Sequence, residues 1–308
     1  MILIFSNNEN DIETDLVIKW LLIFNKKVLR INMTDVIFGN IIVDSKYFTI
    51  NNETFFYEDF KVIWIRRWSF SIIDDNLKDL FDFDSNLHLN NFLTEEWSIF
   101  TNYFFSKFPK NSWINDFKFY NVDKLKQLEL AEKYGLKVPK YFFSTTTKNI
   151  NLNEYITKPI SNISYLYSNE FIYSTYTEVI SNINITKENY FISFFQKKIK
   201  SKYEVRCMFI FGEIYSCGLF YEASNEVDLK QKKEIRTQPI LLDNKIKKSI
   251  IKLMAELNCQ IGFIDLIYDG IDYYFLEINP FGKFYFYSYN CNFNIDHKIA
   301  KGILKKIA

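Results

Sequence analysis

Three oxygen donors stand close together near the C-terminal end of the chain. Asp265 lies in the run Gly262–Tyr268, and Glu277 and Asn279 lie in the run Tyr273–Pro280, with Asp269-Gly270 between the runs. Glu277 and Asn279 are two apart, so on a strand they share a face. Two carboxylates and an amide carbonyl, with no Cys or His beside them, suit a hard cation such as Mg²⁺. Mg²⁺ held by few protein ligands usually completes its shell with phosphate oxygens. The chemistry these residues suggest is nucleotide-phosphate chemistry on a β-sheet. The plain alternative is an edge hairpin with polar residues facing water. Against it, Asp and Glu are depleted in strands, and these three are embedded among Ile, Leu and Phe.

Asp269-Gly270 reads as a two-residue hairpin turn. That register pairs Asp265 with Tyr274 and leaves Glu277 on the opposite face. If Asp265 and Glu277 share one metal, the hairpin must contain an odd loop or a β-bulge.

Other residues extend the argument. Lys197, Lys198, Lys200, Lys202 and Arg206 form a basic stretch, followed by Lys230, Lys232, Lys233 and Arg236. It is either a solvated face or a site for a polyanionic ligand such as ATP or an acidic peptide. The net charge of +1 excludes a general electrostatic nucleic-acid binder. There is no GxGxxG and no GxxxxGK[ST], so a multi-glycine phosphate loop is not expected. Cys207, Cys217, Cys259 and Cys291 are dispersed, and His88 and His297 lie near neither each other nor a cysteine in sequence. That spacing argues against zinc and disulfide frameworks. No apolar run reaches membrane-span length, and the N-terminal run is too short for a signal peptide. A cytoplasmic protein without a membrane partner is expected.

The elements that must position these residues follow from the pattern. Ile2–Phe5 and Lys27–Ile31 read as strands flanking a helix with Leu16, Val17, Trp20 and Leu21 on one face. Further strands are expected at Ile41–Val43, Tyr47–Ile50 and Val62–Ile65, the last ending in Arg66-Arg67-Trp68, and a helix over roughly Leu87–Phe105. A second helix contains Leu125, Leu128, Leu130, Ala131 and Tyr134, with Gly135 closing it and Pro139 blocking its continuation. Strands are expected around Lys140–Ser144, Tyr155–Pro159, Ile163–Tyr167, Phe171–Glu178, Phe191–Phe195, Glu204–Phe211 and Glu213–Phe220, and a helix over Lys245–Leu257. The chain divides into an α/β domain over 1–115, a central domain over 116–189 and a C-terminal domain over 190–308. No repeat or low-complexity linker interrupts it.

The order of these features resembles the ATP-grasp superfamily over about residues 120–305. Asn121–Tyr141 is similar to the segment entering its central domain, and Lys158-Pro159 to its strand-end lysine. Phe194–Ile199 is similar to its hinge strand, Glu204-Val205-Arg206 to its acidic-x-Arg strand, and Asp265 with Glu277–Pro280 to its metal triad. Ser6–Leu21, Val62–Trp68, Phe194–Ser216 and Leu276–Phe284, with a Cys-Asn and an Ile-Ala pair toward the C-terminus, resemble the graspetide ligases in particular. These enzymes macrocyclise ribosomal peptides through ω-ester or ω-amide bonds, and the resemblance is to the grasp-with-spasm type.

The resemblance implies an α/β (α+β) chain with an N-terminal pre-ATP-grasp domain and an ATP-grasp fold, with ATP and Mg²⁺ as cofactors. It implies a partner, a ribosomal precursor peptide with a leader and a core containing Thr and Glu or Asp. A homodimer is left open. ATP phosphorylates an Asp or Glu side chain, and a Thr or Ser hydroxyl or a Lys amine then displaces phosphate. Lys124 and Lys158 would contact phosphates, and the backbone of Gln196, Lys197 and Ile199 would meet adenine. Arg206 would hold the γ-phosphate or acyl phosphate, with Glu204 beside it at the catalytic centre. Asp265, Glu277 and Asn279 would hold Mg²⁺. Arg66, Arg67, Arg236 and Lys283 are the candidates for contact with the peptide. A structural ion pair between Glu204 and Arg206 is the alternative for that strand, and a sheet-edge cap the alternative for Arg66 and Arg67. One departure is the Ser161–Tyr165 segment, which lacks the glycine common after the strand lysine. Two other functions share these residues, a ligase joining an amino acid to a protein or small molecule, and a nucleotide-binding scaffold without catalysis.

Overall fold

The run Ile2-Leu3-Ile4-Phe5 is apolar at every position, the pattern of a strand covered on both faces. This strand, β1 (Ile2–Ser6), is buried throughout and runs parallel to both neighbours. The structure, a computed structural model, describes residues 1–7, 10–68, 87–118, 123–148, 150–151, 153–160, 165–167, 172–174, 177–180, 189–221 and 235–307. Helix α1 (Ile12–Ile23) crosses from β1 to β2 (Val28–Asn32), and a short α2 (Met33–Phe38) follows. Strands β3 (Ile41–Val43), β4 (Tyr47–Ile50) and β5 (Glu53–Phe56) form an antiparallel meander. The β4–β5 turn is Asn51-Asn52, both left-handed at φ 51° and 65°, which matches the twist of a two-residue hairpin. Strand β6 (Val62–Ile65) completes the parallel sheet in the order β2-β1-β6, and α3 (Leu87–Ser106) follows.

Helix α4 (Lys124–Lys133) opens the next part. Asp123 caps it by accepting from the Leu125 N–H at 2.7 Å, and Gly135 closes it at φ 84°. Strands β7 (Tyr141–Thr146), β8 (Tyr155–Thr157), β9 (Tyr165–Tyr167), β10 (Ile172–Ser174), β11 (Glu178–Val179) and β12 (Asn189–Lys197) follow. Four of them form an antiparallel sheet in the order β11-β8-β12-β7, and β9 pairs with β10.

The last part is a five-stranded antiparallel sheet in the order β15-β14-β13-β16-β17. Its members are β13 (Tyr203–Ile210), β14 (Glu213–Phe220), β15 (Arg236–Ile240), β16 (Ile261–Tyr268) and β17 (Tyr273–Asn279). Helix α5 (Asn244–Glu256) precedes β16, and α6 (Tyr285–Asn290) and α7 (Ile295–Ile307) end the chain. Alternation along β13 divides the core. Met208 and Ile210 point into a cluster with Ile2, Ile4, Val17 and Trp64 of the N-terminal part and Ile299 and Ile303 of α7. Val205, Cys207 and Phe209 point the other way, into a cluster with Leu128 and Ala131 of α4 and Leu253 of α5. The five-stranded sheet therefore packs on the first part of the chain through one face and on α4 and α5 through the other. Among the described residues, no helix is long and apolar enough to cross a membrane.

Candidate active site

Register brings the expected residues into one row. Arg206 on β13 pairs with Cys217 on β14 and with Asp265 on β16, and Asp265 pairs with Glu277 on β17. Directly paired residues share a face, so Arg206, Asp265 and Glu277 lie side by side.

The hairpin achieves this with a bulge, one of the two devices its chemistry requires. The connection is Asp269–Asp272, four residues rather than two. The Asp269 N–H donates to the Asp272 carbonyl at 3.1 Å, and Asp269 Oδ1 accepts from the Ile271 and Asp272 N–H groups at 2.8 Å. An even loop alone would set Asp265 opposite Leu276 and turn Glu277 away. The register shift between Asp265 and Leu266 leaves Leu276 without a cross-strand partner and restores the pairing of Asp265 with Glu277.

Cations surround the two carboxylates. Arg206 Nε lies 2.6 Å from Asp265 Oδ1, and Lys124 Nζ lies 3.3 Å from Glu277 Oε2. Burial pushes the Asp265 carboxyl up to about 6, with Arg206 opposing the rise and Glu277 adding to it. Burial also acts to raise Glu277, but Lys124, then Lys158, outweigh it and hold that carboxyl below its ordinary value. Arg206 is held above its ordinary value although burial opposes its charge, because Asp265 comes first among several groups that favour it. Lys158, just beyond β8 and half-buried, acts on both carboxylates.

Lys124 sits at the first turn of α4, where the helix dipole disfavours a cation. Glu277 provides the compensation. The helix is also pinned to β17 by buried Gln127, whose Oε1 accepts from the Ile278 N–H at 2.7 Å. Gln127 gave no signal in the sequence reading. Tyr287 was missed too, and the Arg206 guanidinium lies 5.4 Å from its ring centre.

Asn279 ends β17 on the same side as Glu277. Its Oδ1 accepts from the Phe281 N–H at 2.9 Å and keeps a second lone pair. Glu204 lies on the Arg206 face and favours its charge, but the close ion pair of Arg206 is with Asp265. Glu204 accepts from the Tyr221 hydroxyl at 2.8 Å.

Two expectations need correction. Arg66 is 2% exposed and ion-paired to Glu13, so it cannot reach a peptide. The reason is that β6 ends inside the molecule, against α1 and the segment after Asn279. Arg67 is more open but joins the same cluster, 3.5 Å from both Asp11 and Glu13. Base contact through the backbone of residues 196–199 narrows as well. The Lys197 N–H donates to the Lys140 carbonyl at 2.7 Å and the Lys198 N–H to Glu154 at 2.8 Å. Gln196 is also paired on both sides in the β8–β12–β7 ladder, so a base contact through the backbone would fall on the chain just beyond β12, at Lys198 and Ile199. Gln196 is buried with neither amide atom hydrogen-bonded, and the Lys197 side chain is exposed.

Arg236 lies on the edge strand β15, its guanidinium 5.2 Å from the Phe220 ring centre, and Lys283 is exposed after Asn279. Residues 161–164 and Lys230, Lys232 and Lys233 lie outside the described residues.

All four cysteines are buried and free. Among the described residues no three His, Cys, Asp or Glu side chains converge as a metal centre. A cation here would need the amide of Asn279 as well as the two carboxylates. An all-oxygen set with one carboxylate raised toward neutrality fits a hard cation that would take over part of the neutralisation.

No family model and no curated protein sequence matches the chain. Solved structures match it along its whole length, and the fold they share with it is the ATP-grasp fold. The macrocyclase MdnC of Microcystis aeruginosa, bound with precursor peptide MdnA, aligns at TM-score 0.78 and 18% identity over 99% of each chain. The ATP-grasp ligase PsnB, complexed with a phosphomimetic variant of its minimal precursor, Mg and ADP, aligns at TM-score 0.80 and 14% identity over 99% of this chain and 98% of that one. A Chryseobacterium gregarium RiPP-associated ATP-grasp ligase, in complex with ADP and a leader and core peptide, aligns at TM-score 0.75 and 20% identity over 99% and 96%.

Proposed function

We propose that this protein is an ATP-dependent macrocyclase of the graspetide type, acting on a ribosomal precursor peptide. The observation that carries the reading is the Arg206–Asp265–Glu277 row, with Lys124 ion-paired to Glu277 and the charge of Lys158 acting on both carboxylates. Full-length likeness to ligases solved with precursor peptides supports the choice of substrate.

In this reading Asp265, Glu277 and Asn279 would hold Mg²⁺, which would supply positive charge against the transferring phosphate. Lys124 and Lys158 bind the ATP phosphates, and the hinge after β12 meets the base. A carboxylate oxygen of a peptide Asp or Glu attacks the γ-phosphorus, and the bond from that phosphorus to the bridging oxygen breaks, releasing ADP. Arg206 holds the transferred group as charge builds on it. A Thr or Ser hydroxyl or a Lys amine of the same peptide then attacks the acyl carbon. The carbon–oxygen bond to phosphate breaks, and Glu204 accepts the proton of the nucleophile. Water would compete at that step, so the acyl phosphate must be enclosed.

A ligase joining two molecules would use the same ATP machinery. The test is mass spectrometry of a candidate precursor incubated with the protein, ATP and Mg²⁺. Loss of one water per ring with stoichiometric ADP is the expected result. Gain of an amino-acid residue would establish the two-molecule ligase instead, and ADP-free, unchanged peptide would leave only a nucleotide-binding scaffold.

A further inference from the structure

The segment after the acidic hairpin is held by the N-terminal part of the chain. Glu13, in the first turn of α1, is 5% exposed. Its Oε1 accepts the backbone N–H groups of Phe284 and Tyr285, the latter at 2.6 Å, and its Oε2 accepts from Arg66. Arg66 donates to the carbonyls of Phe281 at 3.1 Å and Gly282 at 3.3 Å, and lies 5.5 Å from the Phe284 ring centre. Phe281, in turn, donates its N–H to Asn279 Oδ1. On the inner side, Gly282 is so close to Phe263 that a Cβ there would come within 2.4 Å of the ring. Two buried side chains thus tie down four residues between Phe281 and Tyr285, and the first of these sets the Asn279 amide.

A buried ion pair is a poor device for stability alone, because desolvation offsets much of its attraction. Its directed hydrogen bonds do fix backbone direction. The planar fork of arginine reaches two successive carbonyls in a way that a lysine ammonium does not.

We propose that Glu13 and Arg66 are positioning residues that aim Asn279 at the metal end of the active site through the Phe281–Tyr285 segment. This rests on the reading of Asp265, Glu277 and Asn279 as metal ligands.

The test follows the unfolding temperature of the whole protein at saturating ADP while Mg²⁺ is titrated. In Glu13→Gln the half-saturating Mg²⁺ concentration should rise about tenfold, the scale of losing an outer partner of a ligand. The shift given by ADP without Mg²⁺ should not change. Arg66→Lys should move in the same direction by less. Gly282→Ala disturbs the same segment from the Phe263 side while keeping the ion pair, and should also raise the half-saturating concentration. If these variants melt earlier yet keep the wild-type Mg²⁺ dependence, the pair is only a brace and the proposal fails. If Glu13→Gln and Arg66→Lys do not fold, Gly282→Ala decides by the same criterion. No Mg²⁺ dependence in the wild-type protein would remove the metal assignment itself, and this role with it.

Discussion

Two arginine–carboxylate clusters meet the chain on either side of Asn279 in sequence, and they differ in what they leave open. In the Glu13–Arg66 pair the side chains are 7% and 2% exposed, and both Glu13 oxygens accept hydrogen bonds from within the protein. In the Arg206–Asp265 pair they are 15% and 20% exposed, and Asp265 is pushed up to about 6. The first cluster has little capacity left for a ligand. The second holds one carboxylate, Asp265, whose charge burial disfavours and a cation would relieve, with the half-buried Lys124 and Lys158 beside it. The same residue types therefore make a clamp in one place and a reactive site in the other. Burial and hydrogen-bond saturation decide which.

That contrast can be broken by exchanging the readouts. Arg66→Ala leaves buried Glu13 with only its longer, 3.5 Å ion pair to Arg67. It should cost about 3–5 kcal/mol in urea unfolding, the usual consequence of breaking a buried pair. Glu277→Gln should do the opposite, reducing ring formation by about 10²–10³-fold with nearly unchanged unfolding. Arg206→Ala should lose activity on the same scale while costing less stability than Arg66→Ala, because its pair keeps more contact with solvent than the Glu13–Arg66 pair. If Arg206→Ala collapses the melting temperature and keeps activity, the row is structural and the contrast disappears.

The sequence resolved the strand alternation well. Ile41–Val43, Tyr47–Ile50, Val62–Ile65 and Glu213–Phe220 were bounded correctly because Asn, Gly and charged residues punctuate them. Strand β5 and helix α2 were missed; each is short and carries no strong period. The bulge was accessible only through chemistry, since Asp269-Gly270 resembles a tight turn and the demand for a common face is what argued against it. Arg66 was misassigned because a strand-end arginine looks the same whether it meets solvent or a buried Glu13, 53 residues away. Nothing local distinguishes Gln127 from an ordinary helix glutamine. Its role exists only because α4 lies against β17.

Smaller effects test how the row is supplied with charge. Lys124→Met removes the cation beside Glu277, so that carboxyl should lose its main stabilising neighbour and rise. The KM for ATP should increase about tenfold, the scale of one charge-assisted hydrogen bond. An unchanged KM would confine Lys124 to balancing Glu277 and leave the phosphates to Lys158.

The smallest effect concerns the cap that places Lys124. Asp123 accepts the Leu125 N–H, and the first turn it secures carries Lys124 toward Glu277 while Gln127 holds Ile278 one turn later. Asp123→Ala removes the acceptor and should cost about 1 kcal/mol of stability. Loosening the turn should also raise the KM for ATP, by less than Lys124→Met does, because the lysine is displaced rather than lost. Asp123→Asn keeps the acceptor and drops the charge, so it should restore both values if capping is what matters. Should Asn fail to rescue, the negative charge of Asp123 at the helix start is the working element, and the geometry of the first turn is secondary.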